Sequence, residues 1–478
     1  MMLKQSSKKN LFINGKWQEA GDYYQLTSPY NGKFLASVPL ANKREVEDAL
    51  ASAEIGAMKM KELTSLERSN VLERVSKLFE ERSEEAAEIL ALECAKPIKA
   101  ARAEIARTIE TYKFASEEAK RIHGETIPMD AAKSGKGRFA YTIREPLGVI
   151  AAITPFNFPF NLVAHKLGPA FAAGNSIVLK PANQTPLSTL FTAELFEQAG
   201  LPDGALNVVT GRGSVIGDQL VRDSRVKMVT FTGSVEVGLG IKEKAGLKKI
   251  TLELGSNSAV IIDGTDDLDA VVERCVEGAY AFSGQVCISV QRIYVQEELY
   301  ETFVERFVEK VKQLVIGDPL SEGTDLSAMI NETEAERVER WIEEAAESGA
   351  NITLGGKRIG AIFEPTIITG ASSTLSISCK EAFAPVVTIT PYDYLEDVVT
   401  CVNDSQYGLQ AGVYTTSIHK AFDAIAALQV GGVMVNDVPT FRVDHMPYGG
   451  VKNSGTGREG IKYSIEEMTE LKLVTIKF

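Results

Sequence analysis

Cysteine and histidine are scarce in this chain: five cysteines and four histidines among 478 residues. Cys94, Cys275, Cys287, Cys379 and Cys401 are scattered, odd in number and form no Cys-x-x-Cys pair. That argues against a disulfide framework or a structural zinc site and points to a reducing, cytoplasmic setting. The histidines show no His-Glu-x-x-His spacing, so no metal is expected. Basic charge is also in deficit. With 64 acidic against 51 basic residues the formal net charge is -13, which disfavours a nucleic-acid partner and suits a soluble surface. Met1 to Asn10 is polar and basic without an apolar run, so no secretory signal is expected there. A membrane span is missing too. The one long uncharged stretch, Pro146 to Ala164, carries Pro146, Pro155 and Pro159, which would break a helix three times, and it reads as a buried strand running into a turn.

What is present is ordinary globular material, 44% hydrophobic and 24% charged, in a chain too long for one core, so two or three domains are expected. Residues 11–39 read as short strands with hairpin signals at Asn14-Gly15 and Asn31-Gly32. From Ala41 to Lys120 the apolar spacing is helical, with Pro97 marking a helix start or end. Gly135-Lys136-Gly137 and the alternating Arg138 to Ile143 read as a projecting hairpin, open to pairing with another subunit. From Gly148 to Leu254 apolar strands alternate with helices, the first helix expected from His165 to Ala173 and ending at Gly174, the pattern of a parallel sheet covered on both faces. A second such series begins at Leu268, with strands expected at Arg292 to Val295, Pro385 to Thr390, Ala411 to Tyr414 and Val433 to Asn436. The alternating Leu471 to Phe478 suits pairing with the earlier hairpin or with another subunit.

Several short stretches admit a chemical reading beside a plain one. Cys287, behind Ser283-Gly284 at a helix-to-strand junction, is a nucleophile, a metal ligand or plain core filler. Gly211-Arg212-Gly213-Ser214-Val215-Ile216-Gly217 is one residue too long for the dinucleotide fingerprint and is explained as well by a tight turn. Phe231-Thr232-Gly233-Ser234 places a hydroxyl and backbone N–H groups at a helix start, to face a pyrophosphate or simply to cap the helix. Lys180 ends an apolar strand, where it meets a ribose or solvent. Asn157, within Thr154-Pro155-Phe156-Asn157-Phe158-Pro159, serves either its own backbone or a developing oxyanion. Glu253, in Leu252-Glu253-Leu254-Gly255, is either paired structurally or a tuned base.

Together with Leu179-Lys180-Pro181, Gly284-Gln285-Val286-Cys287 and Glu381-Ala382-Phe383-Ala384-Pro385, these stretches resemble the aldehyde dehydrogenase superfamily over most of the chain, from about Asn14 onward. The resemblance implies an α/β fold: a Rossmann-like cofactor domain and a catalytic domain, each with a parallel sheet, plus a β-strand oligomerisation arm. The expected boundaries are 1–123 and 144–254 for the dinucleotide-binding domain, 255–450 for the catalytic domain, and 124–143 with 464–478 for the arm. It also implies NAD or NADP as cofactor, a small aldehyde as substrate, and a homodimer or homotetramer. By the resemblance Cys287 is the nucleophile, Asn157 the oxyanion amide together with the Cys287 N–H, and Glu253 the general base. Lys180 and Glu381 match the groups holding the two riboses, Ser234 the pyrophosphate contact, and Phe383 an aromatic beside the nicotinamide. Thr154, Pro155, Phe156, Asn183, Gly213, Gly233 and Gly255 complete the expected cofactor surface.

Three departures stand out. Asn183 replaces a glutamate that many NAD-preferring members carry, which removes a repulsion toward the 2′-phosphate of NADP and leaves the choice of cofactor open. Ser256 stands where a second glycine is common, and Ala384 where glycine is common. The expected substrate wall is Pro439 to Pro447, where Arg442 and His445 are candidates to bind an anionic tail; the plain alternative is an Arg442–Asp444 surface pair. Arg107 is a further candidate for the tail. A short polar or anionic aldehyde follows, such as lactaldehyde or a semialdehyde. Two other readings differ in testable ways. A CoA-acylating enzyme would lack the base that Glu253 supplies, and a catalytically silent binding protein of the same fold would not need Cys287, Glu253 and Asn157 together.

Overall fold

The computed structural model describes residues 8–478; most of the polar N-terminal stretch, and any leader in it, lies outside the described residues. Two hairpins open the chain. Leu11–Ile13 pairs with Lys16–Gln18 across Asn14-Gly15, both at positive φ (55° and 69°), as a tight two-residue turn requires. Asp22–Thr27 pairs with Phe34–Leu40 across the second Asn-Gly. Four helices follow. The first two, Lys43–Glu62 and Ser65–Glu81, open with capping boxes built from Asn42 and Glu45 and from Thr64 and Glu67. Ser83–Cys94 ends in left-handed Ala95, and Pro97 caps Ile98–Ala119.

The first large sheet runs Lys16–Gln18, Leu11–Ile13, Leu206–Val208, Ser176–Lys180, Val149–Ile153, Val226–Thr232, Lys249–Glu253, Gly455–Thr456. Its five central strands are parallel. Val149–Ile153 has its successor Ser176–Lys180 on one side and Val226–Thr232 on the other, so strand order reverses beside it. The carboxyl ends at such a reversal form a crevice where ligands bind. Thr154 to Phe158 and Gly233-Ser234 lie at those ends.

The second sheet runs Asn351–Leu354, Thr366–Thr369, Val386–Tyr392, Arg292–Gln296, Ala259–Ile262, Gln410–Tyr414, Gly432–Val435 and is parallel except at its first edge. A third, antiparallel sheet joins Thr469–Lys477 to Arg138–Pro146 over nine residue pairs, with Thr126–Ile127 beyond. The C-terminal strand therefore pairs with the hairpin of its own chain. Phe139, Ile143, Leu471, Leu473, Ile476 and Phe478 are left exposed on it. Among the described residues no helix is long and apolar enough to cross a membrane.

Helix Asn161–Ala173 lies behind the first sheet with all its residues buried and ends at Gly174, φ 88°. The expected helix started later, at His165. The earlier start has no local signal because its cap comes from far away: Glu104 Oε1 accepts from the N–H groups of Phe160 (3.0 Å) and Asn161 (3.2 Å). Three strands of the second sheet went unanticipated, Ala259–Ile262, Asn351–Leu354 and Thr366–Thr369, four-residue runs too short to show a period.

Candidate active site

Helix Leu268–Tyr280 runs into a short turn, Ala281–Gly284, in which Phe282 (φ 48°, ψ 43°), Ser283 (φ 53°, ψ 36°) and Gly284 (φ 69°) are all left-handed. Two consecutive non-glycine residues in that region are costly and persist only where surroundings hold them. Here Ser283 Oγ donates to Ser327 O at 2.9 Å, and Gln285 Oε1 accepts from Ile330 N at 2.9 Å. Gly284 has no room for a side chain, since a Cβ would lie 2.0 Å from Ala384 O. The turn delivers Cys287, half-buried, to the wall of a cavity of about 350 Å³.

Asn157 and Glu253 line the same cavity from the first sheet. Asn157, four residues past strand Val149–Ile153, donates from Nδ2 to Gln285 O at 3.1 Å, two residues before Cys287; its Oδ1 has no partner. Glu253 is the last residue of Lys249–Glu253, 3% exposed, with neither carboxylate oxygen hydrogen-bonded. Burial, and then the charge of Glu459, push its carboxyl well above the usual range, against the pull of Arg442 and Lys166. Burial likewise pushes the Cys287 thiol up, with Glu381 and Glu253 adding to the effect. Among the other cysteines, Cys94 and Cys275 are buried in apolar cores.

Charged side chains passed over in the sequence complete the cavity region. Glu459 pairs with Lys166 (3.2 Å) and with Arg442 (3.0 Å). Burial alone would raise Glu459, but Lys166 and Arg442 hold it down at about 2. The Arg442 guanidinium lies 3.8 Å over the Tyr448 ring, and its Nε has no acceptor. Asp444 is buried and takes Arg107 (2.7 and 3.1 Å), Asn161 (3.0 Å) and His165 (2.8 Å). The Arg442–Asp444 surface pair is thus replaced by two separate pairs, Arg107–Asp444 and Arg442–Glu459. Arg107 and Arg442 both line the cavity; His445 does not, being exposed with its ring 5.0 Å from Phe114. One signal was available for Lys166: apart from Asn161 and His165 the rest of its helix is apolar, which leaves no solvated face for a lysine.

The expected cofactor residues cluster at the carboxyl ends of the first sheet and beside Gly255. Lys180 ends its strand, is nine-tenths buried, and donates to Pro181 O at 3.0 Å; burial lowers its ammonium to about 8. Thr154 N donates to Lys180 O at 3.1 Å, beside Pro155. Gly213 opens a helix against the Lys180 stem. Asn183 Oδ1 is buried and unpartnered. Gly233 N donates to Glu253 O at 3.0 Å, and Ser234 Oγ caps helix Val235–Lys244 through Val237 N. Glu381 Oε1 accepts from Ser256 N at 3.0 Å, and burial lifts its carboxyl to about 7 despite that bond. A Cβ on Gly255 would sit 2.3 Å from Glu381 Oε2, so a side chain there would displace that carboxylate. Phe383, at φ 50°, meets Phe156 edge-on at 5.7 Å.

The aldehyde dehydrogenase family model matches residues 17–474. The chain belongs to the aldehyde dehydrogenase family. It is 48% identical over 474 residues to a 3-sulfolactaldehyde dehydrogenase of Priestia aryabhattai, covering 99% of each chain. It is also similar to the structure of aldehyde dehydrogenase 21 from Physcomitrella patens in complex with the reaction product succinate, at a TM-score of 0.97 and 40% identity over 99% of each chain. A third likeness, at TM-score 0.92 and 40% identity over 96% of this chain and 100% of the other, is to a glyceraldehyde-3-phosphate dehydrogenase from Methanocaldococcus jannaschii complexed with NADP. The fold is the aldehyde dehydrogenase fold, and this family member oxidises an aldehyde to the acid with NAD or NADP.

Proposed function

We propose that Cys287 is the nucleophile, Asn157 with the Cys287 N–H the oxyanion site, and Glu253 the general base, acting on a short aldehyde with an anionic tail. One observation carries this reading: the three side chains, from opposite sides of the junction between the two large sheets, line one cavity that also holds Arg107 and Arg442. The Cys287 thiolate attacks the aldehyde carbon, and the Asn157 amide donates to the oxyanion of the thiohemiacetal, a contact worth about 2.7–4 kcal/mol in comparable sites. Bound NAD(P)+ supplies the hydride acceptor through which this adduct is oxidised to a thioester. Glu253, with both oxygens unpartnered, takes a proton from the water that attacks the thioester, releasing the acid and the Cys287 thiol.

The buried, unpartnered Asn183 Oδ1, the nine-tenths-buried Lys180 and the Ser234 helix start suit a dinucleotide. Lys180 and Glu381 hold the riboses and Ser234 the pyrophosphate, with Phe383 beside the nicotinamide. Thr154, Pro155, Phe156, Gly213, Gly233 and Gly255 shape the surface. Asn183 presents no carboxylate to a 2′-phosphate, which favours use of NADP as well as NAD. For the tail, the Arg442 guanidinium, with Nε and Nη1 unpaired, and the exposed side of Arg107 supply the donors. The compounds named for the three relatives carry a sulfonate, a carboxylate or a phosphate. His445 drops out because it lies off the cavity. The two parallel-sheet units are read as a cofactor-binding domain of residues 1–123 and 144–254, joined by the strand Gly455–Thr456, and a catalytic domain of residues 255–450. The exposed apolar side chains of the third sheet support its role as an oligomerisation arm, and five unpaired cysteines suit a cytoplasmic enzyme. The test is kcat/KM for 3-sulfolactaldehyde, succinate semialdehyde, lactaldehyde and a plain alkyl aldehyde with each cofactor. Preference for an anionic tail is expected; preference for the alkyl aldehyde overturns the substrate reading.

A further inference from the structure

We propose that Lys96 is a positioning residue that holds the oxyanion amide and the nucleophile turn in register across the two large sheets. This rests on the roles given above to Asn157 and Cys287. Lys96 follows left-handed Ala95 at the start of helix Ile98–Ala119 and is 1% exposed. Its ammonium pairs with Glu104, itself 2% exposed, and donates to the main-chain carbonyl of Asn157 at 2.6 Å. The same ammonium lies 3.9 Å over the Phe158 ring and 4.4 Å over the Phe282 ring. Phe158 adjoins Asn157, while Phe282 is the first of the left-handed residues leading to Cys287. Glu104 fixes the other flank of the Asn157 segment by capping Phe160 and Asn161.

Lys96 therefore touches both partners of the 3.1 Å Asn157–Gln285 contact: the carbonyl of Asn157 from behind, and the turn that carries Gln285 through Phe282. Stability alone does not account for a lysine here, because a buried ion pair is often replaceable by apolar side chains of similar volume at little or no cost. A methionine fills the space but cannot donate to Asn157 O or hold two aromatic faces to one charge. Without Lys96 the strained turn and the amide lose their shared anchor.

The experiment compares Lys96→Met, the charge-neutral Lys96→Met/Glu104→Gln and Asn157→Ala, reading pre-steady-state release of reduced cofactor and melting temperature. Lys96→Met alone leaves Glu104 buried without its cation, so loss of folding in that variant is met by the double variant. A positioning role predicts that the double variant melts near wild type and keeps its burst amplitude, with a burst rate at least tenfold lower and unchanged affinity for NADPH. A purely structural role lowers the amplitude, the folded fraction, and leaves the rate intact. A wild-type burst rate in the double variant beside a slow Asn157→Ala overturns the proposal. A wild-type rate in both overturns the oxyanion reading beneath it.

Discussion

Arg442→Met is the perturbation that separates recognition of the substrate tail from maintenance of the fold. Arg442 spends only Nη2 on hydrogen bonds, to Glu459 and His165, and leaves Nε and Nη1 free in the cavity region, while Glu459, its partner at 3.0 Å, also holds Lys166 at 3.2 Å. Removing the guanidinium therefore does not strand a buried carboxylate. A hydrogen bond to a charged group is worth about 1.5–3 kcal/mol. At 1.4 kcal/mol per factor of ten, kcat/KM for an anionic-tailed aldehyde falls by roughly 10- to 150-fold. For a neutral alkyl aldehyde of similar length the change stays within about threefold, because no donor to its tail is lost. A second readout is independent of the tail. Arg442 pulls the Glu253 carboxyl down, so its removal lets that carboxyl rise further and moves the pH–kcat profile to higher pH for every substrate. The assay is steady-state reduction of NAD(P) across pH with succinate semialdehyde and butanal. Equal losses with both aldehydes would refute the assignment of Arg442 to the tail.

The other expectations are simpler. Asn183→Glu places a carboxylate beside the proposed 2′-phosphate, and like charges about 4 Å apart repel by about 1–4 kcal/mol, so kcat/KM with NADP drops at least about fivefold relative to NAD; an unchanged cofactor ratio would contradict the placement. Gly255→Ala drives a methyl to 2.3 Å from Glu381 Oε2 and displaces that carboxylate. The KM for the cofactor then rises several-fold, with overpacking costing about 1–3 kcal/mol, read by cofactor titration and thermal melting. The pH profile has a definite sign. Because burial holds both Glu253 and Cys287 above their ordinary values, their reactive forms, carboxylate and thiolate, accumulate only as pH rises. Activity accordingly keeps climbing as pH rises past neutrality instead of peaking below it.

How much of this was legible in the sequence depended on how local its cause was. The Asn14-Gly15 turn, the capped helices and the apolar strands were readable because each is set by a few neighbouring residues. Cys287, Asn157 and Glu253 could be named from short motifs, each beside a bland alternative that for the lone Cys287 was the stronger one. What could not be read was pairing at a distance. Arg442 and Asp444, two residues apart, looked like partners. Instead Asp444 takes Arg107, 337 positions away, and Arg442 takes Glu459. Helix Asn161–Ala173 starts early because Glu104 caps it from 56 positions upstream. Glu459 sits between Arg458 and Gly460 in a stretch that reads as surface, and Lys96 stands beside Pro97 at a helix start; nothing local shows that both are buried.

The central claim is that Cys287 carries the acyl group and Glu253 releases it. Glu253→Gln incubated with succinate semialdehyde and NADP tests it most directly, followed by rapid acid quench and mass analysis of the peptide containing Cys287. The expected result is one equivalent of reduced cofactor, a stalled steady state, and a thioester mass on Cys287 that is absent from Cys287→Ala. Full steady-state turnover in Glu253→Gln, or an adduct on any other cysteine, would contradict the account.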